Sequence, residues 1–158
     1  MGDTFTTSMS TFMRNVERDM KQMKEYVVDN IFAITYTVYA DVMRYNPVLT
    51  GDYRLNTNIS NKTRNSVAYK KSQSAPARGS QPTSKETSNC GFKQTAKEFK
   101  LGDTIYIYND LSYANKVEFL GWAGNTAPYA SFKKAEMNAP NNGYEKNVSI
   151  VKAYLGGN

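Results

Sequence analysis

The sequence predicts an α+β fold, and three observations carry that prediction. Apolar residues recur at steps of three and four from Phe5 to Val42, which is the period of one helix face. Thr104, Ile105, Tyr106, Ile107 and Tyr108 alternate between the turn pairs Gly102-Asp103 and Asn109-Asp110, as a bounded strand does. Beyond that strand, short amphipathic stripes are cut by glycine and proline and read as short helices. The predicted architecture is a long N-terminal helix, a small mostly antiparallel sheet and short C-terminal helices, with a long basic loop.

No glycine or proline interrupts Asp3 to Asn46, so one helix of about 35–40 residues can form there, roughly 55 Å long. Asp29-Asn30 marks a possible kink, and Ile34 to Tyr39 alternates as a β-branched and aromatic strand would. Pro47 ends the element either way, because the residue before a proline is pushed away from helical dihedrals. From Leu49 to Tyr69, Tyr53, Leu55, Ile59, Val67 and Tyr69 are separated by Asn, Thr and Ser, which reads as strand with a polar face. Residues 70–90 contain no large apolar side chain, and with nothing to bury they read as a flexible arm. Phe92 and Phe99 then flank a polar helix or strand. Tyr113, Val117 and Leu120 form a helical stripe stopped at Gly121, and Pro128 suits the first turn of a helix that turns Phe132 and Ala135 inward. After Pro140 and Gly143, the stripe Tyr144, Val148, Val151 and Leu155 predicts a last helix ended by Gly156-Gly157. The division is therefore one domain over 1–158, with helix 1–46, body 47–69 and 91–135, basic arm 70–90 and C-terminal helix 136–158.

At 158 residues and 17.8 kDa the chain has the size of one domain with one core. It has no histidine, which excludes Ser-His-Asp and Cys-His catalysis, imidazole bases and His-liganded zinc. Cys90 stands alone, so neither an intrachain disulfide nor a thiolate metal cluster is available. Asp103 and Asp110 bracket the strand where turns favour Asp. Glu118, between Val117 and Phe119, is the one carboxylate in an apolar setting, and its plain alternative is a helix residue facing water. No phosphate-cradling glycine loop is present, so the expectation is a non-enzyme without cofactor or metal. No apolar run approaches the ~18 residues a bilayer demands, and Met1 to Ser10 lacks the features of a secretory signal. The expectation is a chain that folds in the cytoplasm and has no membrane partner.

Charge is placed unevenly. The net charge is +6, but residues 61–100 hold nine basic residues against Glu86 and Glu98, a local excess of +7 that leaves the remainder at −1. Lys62, Arg64, Lys70, Lys71, Arg78, Lys85 and Lys93 are thus candidates for contact with phosphates or with an acidic protein. The arm has no interleaved aromatics and no zinc-finger or helix-turn-helix pattern, which confines DNA binding to nonspecific contact with duplex. A small nonspecific DNA-binding protein is the alternative reading.

Two stretches carry a resemblance. Pro47, Leu49, Thr50, Gly51, Asp52, Tyr53 and Arg54 are followed about fifty residues later by Gly102, Ile105 to Asp110, Leu111, Tyr113, Ala114, Val117, Glu118, Gly121, Trp122, Ala127 and Pro128. This order resembles the neck and tail-completion proteins, the head-to-tail connectors, of tailed bacteriophages. In that family a threonine-glycine turn with a nearby arginine precedes the first strand. A later strand ends in asparagine, and a tyrosine-alanine helix bearing a glutamate, a glycine and an alanine-proline follow. The matching positions are Thr50, Gly51, Arg54, Asn109, Tyr113, Glu118, Ala127 and Pro128. The chain departs from the pattern at Tyr129-Ala130-Ser131, where the family has an apolar step, and in the break from Pro140 to Gly143. Trp122 reads equally as a core plug or an interface anchor. The resemblance implies a structural virion protein, made in the cytoplasm of a bacterial host. It implies a homo-oligomeric ring, sixfold or twelvefold, that joins the portal or adaptor of the filled head to tail proteins around the DNA channel.

Overall fold

The computed structural model describes residues 2–62, 68–121 and 127–139, with side chains from Ser8 onward. Helix α1 (Gly2–Tyr45) runs 44 residues through both positions where the sequence leaves a break open. At those positions polar side chains bond back to the carbonyl one turn earlier: Asn30 Nδ2 to Tyr26 O, Thr35 Oγ1 to Ile31 O and Thr37 Oγ1 to Ala33 O, each at 2.8 Å. Burial decides the rest. Phe32, Tyr36, Tyr39 and Met43, spaced four, three and four, are buried together, a set that only a helix places on one face. The helix stops at the residue before Asn46-Pro47, and Asn46 Nδ2 then donates to Thr57 Oγ1 at 3.0 Å, fixing the exit of the chain.

Where the sequence predicts strand from residue 49, a helical turn comes first: α2 (Asp52–Leu55), then β1 (Thr57–Ser60). The turn starts at Gly51, whose φ of 82° lies in the left-handed region. Strand β1 pairs antiparallel with β2 (Tyr106–Asn109), in the register Thr57 opposite Asn109 and Ser60 opposite Tyr106. Between them in sequence lie α3 (Ser84–Asn89) and α4 (Phe92–Glu98). The core closes where α1, β1 and α4 meet, around Phe32, Tyr36, Tyr39, Met43, Ile59, Cys90 and Phe92. Phe32 meets Phe92 and Phe99 edge to face at centroid distances of 5.6 and 5.3 Å, contacts worth about 0.5–1.5 kcal/mol each beyond their buried area. Cys90 is buried, and that burial raises its thiol pKa, as expected of a packing residue.

Gly91 holds α4 against β1. Its φ is 87°, and a Cβ there would stand 2.6 Å from the Ile59 carbonyl oxygen. That carbonyl accepts from Thr95 Oγ1 at 3.1 Å, and the Ile59 amide donates to Cys90 O, so the backbone is tied from both sides. Gly91→Ala should cost about 2 kcal/mol, from left-handed strain plus displacement of the strand. Gly102→Ala, also at positive φ but facing open space, should cost about 1 kcal/mol. Equal costs in chemical denaturation would remove the close approach as the cause.

Residues 70–90, expected as a flexible arm, lie along the body. They bury almost nothing apolar, and polar bonds hold them instead. The Lys70 amide donates to Asn56 Oδ1 at 2.9 Å while Asn56 Nδ2 donates to Lys70 O at 2.7 Å, so the asparagine pairs with the segment as a backbone would. The far end forms α3, with Thr83 and Glu86 as a reciprocal capping box. A π-helical turn (Lys116–Leu120) takes the place of the predicted helical stripe. Helix α5 (Ser131–Asn138) then crosses α1, where Asn138 Nδ2 donates to the Tyr45 hydroxyl at 2.6 Å and Lys134 Nζ stands 5.5 Å from the Tyr45 ring centroid. Pro128 lies exposed ahead of this helix, which begins at Ser131, and not in its first turn. Arg64, Trp122 and the stripe from Tyr144 to Leu155 lie outside the described residues. Among the described residues no helix is long and apolar enough to cross a membrane.

Candidate functional site

Motif residues scattered over about seventy positions fall at two fastenings, one closing the segment 70–90 onto α2 and one around Tyr53, β2 and the start of α5. Arg54 makes the first of these and is wholly buried. Nε and Nη2 meet the two oxygens of Glu86 at 3.0 and 2.9 Å, the paired geometry of a guanidinium on a carboxylate. Nη1 donates to Ser80 O and Ser80 Oγ, and Nη2 also to Gln81 O, at 3.0–3.2 Å. All five guanidinium hydrogens are thereby used. Glu86 Oε2 in turn accepts the Thr83 amide at 2.8 Å. One buried arginine thus closes the far end of the 70–90 segment onto α2. Glu86 enters the sequence reading only as a counter-charge, although Thr83-x-x-Glu86 is a capping-box pattern that was readable.

Asp52 holds the near end. Its carboxylate accepts from the Tyr69 hydroxyl and from the Ser72 amide, both at 2.6 Å, beside the left-handed turn at Thr50-Gly51. The Tyr69 hydroxyl and then the Ser72 amide hold this carboxyl below its ordinary value. A depressed folded value means that the clamp stabilises the fold above the unfolded carboxyl pKa of about 3.9, and that this stability is lost as pH falls through the folded value. Asp52→Asn should therefore flatten the acid limb of a plot of stability against pH. An unchanged acid limb would show that Asp52 does not fasten the segment.

Asn109, at the end of β2, donates through Nδ2 to Tyr53 O at 2.8 Å and accepts the Leu111 amide at 3.1 Å, which turns the chain out of the strand. Tyr113 tilts against Tyr53 at a centroid distance of 6.1 Å. Glu118 does not face water. It is buried, and its oxygens accept the Ser131, Phe132 and Lys133 amides at 2.8, 3.0 and 3.3 Å, capping α5 from outside the helix. Ala127 is exposed, as Pro128 is. Pro47, Leu49, Gly51, Tyr53, Tyr113 and Tyr129 border a cleft of about 420 Å³. Burial first, then Glu118 and Tyr113, push the Tyr53 hydroxyl well above its ordinary pKa, so it stays neutral.

The basic candidates divide. Lys70 is half-buried, with Nζ donating to Asn58 Oδ1 at 2.8 Å and to the Asn89 carbonyl, and burial lowers its pKa. It is a structural tie and not an open contact for phosphate. Lys62 pairs with Glu98. Lys71, Arg78, Lys85 and Lys93 are exposed. The described residues bring together no group of three or more Asp, Glu or Cys able to hold a metal. The carboxylates of Asp52, Glu86 and Glu118 are all occupied by hydroxyl, backbone or guanidinium donors, so they are suited to fastening elements and holding a surface in shape. The chain matches no model of a known protein family, no curated protein and no solved structure.

Proposed function

We propose that the protein is a structural connector of a tailed-phage neck, a non-enzymatic virion component made in the host cytoplasm. Its copies form a sixfold or twelvefold ring that joins the portal or adaptor to the tail. One observation carries this reading: of the residues of the resemblance, Thr50, Arg54, Asn109 and Glu118 commit their polar groups to structural bonds, with Gly51 at the turn and Tyr113 packed on Tyr53. Glu118 is the residue an enzyme reading would use as a base, and both of its oxygens hold α5. Work by surface complementarity needs such rigid backing and no reactive group. Electron microscopy of particles made after deleting the gene from its encoding genome is the test. Filled heads separate from tails are expected, and complete infectious virions would overturn the proposal.

The exposed Lys71, Arg78, Lys85 and Lys93 favour nonspecific binding to duplex DNA as a second reading. Such binding would weaken linearly with salt on logarithmic axes, and each phosphate-contacting lysine changed to Gln would reduce that slope by about one unit. Binding that is insensitive to salt and to these changes would remove this reading.

A further inference from the structure

We infer that the exposed apolar stripe of α1 packs against the same stripe of a second copy of this chain. The inference rests on α1 alone and stands whether or not the connector reading holds. Met9, Phe12, Val16, Met20, Met23, Val27, Ile31, Ile34 and Val38 follow each other at steps of three, four and four, an eleven-residue repeat. That repeat, about 3.67 residues per turn, keeps a stripe on one side of a nearly straight helix for its whole length. The stripe is open to solvent: Met9 is 47% exposed, Phe12 59%, Met20 55%, Met23 67% and Ile34 45%. Its open part runs from Met9 to Ile34, since Ile31 and Val38 are half-buried and Val42 is buried in the body. Tyr36, at the centre of the buried face, is two residues and so roughly 200° from both Ile34 and Val38. The core that covers Phe32, Tyr36, Tyr39 and Met43 therefore leaves Ile34 open, and Met9 to Val27 lie ahead of it along the helix. An amphipathic helix draws most of its stability from packing such a face, so residues 8–27, exposed apart from half-buried Val16, call for a partner.

The chemistry of the stripe favours a second copy. At roughly 200 Å² for a whole large side chain, its half-exposed residues present roughly 600 Å² per copy, about three-quarters of the ~800 Å² each partner contributes to a standard interface. Steps of three, four and four read the same in both directions, so either orientation of a second copy sets apolar residues against apolar residues. The flanks agree. Lys24 meets an acid in both cases: Glu17, on its own flank, when the copies run antiparallel, and Asp19, five residues away on the other flank, when they run parallel. Charge argues against a lipid surface, because Arg14, Arg18, Lys21 and Lys24 are matched by Glu17, Asp19, Glu25 and Asp29, and membrane-surface helices are basic.

Sedimentation equilibrium of the full chain, from micromolar concentration upward, tests the pairing. A mass of two or more chains is expected, and Met20→Glu with Met23→Glu should weaken association about 100-fold or more. Continued protection of the buried Cys90 thiol from alkylation would show that the body of the variant remains folded. Met20→Cys should cross-link between chains on oxidation, and Arg18→Cys, on the opposite face, should not. A single-chain mass at every concentration, or an unchanged mass in the double variant, would overturn the inference. So would a monomer whose Met20→Cys thiol is protected, which would give the stripe to residues 140–158 of the same chain, or a monomer that partitions onto anionic vesicles.

Discussion

Arg54→Ala should be the most damaging polar substitution in the chain, costing about 3–5 kcal/mol. Removal of the guanidinium leaves the Glu86 carboxylate buried without its counter-charge, and it strips donors from Ser80 and Gln81 together. For a domain of this length, each kcal/mol moves the melting temperature by roughly 2–4 °C, so a fall of roughly 6–20 °C is expected. The loss also has a location. Arg54 is the far fastening of residues 70–90, so trypsin should cut the variant at Arg78 and Lys85 faster than the parent under native conditions. Arg54→Lys should recover only part of the loss, since an ammonium cannot meet two carboxylate oxygens and three further acceptors in one plane. Arg54→Met combined with Glu86→Leu should be much less harmful than Arg54→Ala alone, because the orphaned charge is gone. A loss below about 1 kcal/mol for Arg54→Ala would mean that water reaches Glu86 and that the segment is held elsewhere.

The contrast between Arg54 and α1 shows what a sequence of this kind discloses. Helix α1 was legible because its periodicity is local, yet most of the stripe that reveals it lies open, and only its last members, Val38 and Val42, turn towards the body. The buried face, Phe32, Tyr36, Tyr39 and Met43, is masked by the β-branched residues between its members. Strand β2 and the turn at Gly51 were legible from alternation and from the conformational freedom of glycine. Residues 70–90 were not, because apolar patterning is blind to a segment fastened by hydrogen bonds. Asn56, Asp52 and Arg54 are ordinary loop residues until the fold sets Lys70, Ser72 and Glu86 opposite them. Pairings over 14 to 32 positions leave no local signature. The Glu118 position could be marked as unusual from its apolar neighbours, but its partners, the amides of Ser131 to Lys133, belong to backbone whose position only the tertiary structure fixes.

Glu118→Ala should cost about 3 kcal/mol, and it should act on α5 first. The residue ahead of that helix, Ala130, has no oxygen to offer the free amides, and its φ of 48° puts an alanine in the left-handed region. Glu118 replaces the missing cap across 13 to 15 positions and adds a negative charge at the positive end of the helix. Without it, the amides of Ser131, Phe132 and Lys133 lose their acceptor, at about 1–3 kcal/mol for each one left buried and unpaired. Glu118→Gln keeps an acceptor oxygen and loses the charge, so about half of the loss should return. Ala130→Gly should act in the opposite direction, raising stability by about 1 kcal/mol as the left-handed strain is released. The three variants together separate the cap from the backbone strain. Chemical denaturation gives the size of each effect, and hydrogen exchange at Ser131 to Lys133 gives its place. If those amides exchange no faster in Glu118→Ala than in the parent, the carboxylate is not their cap, and the fastening role assigned to Glu118 falls with it.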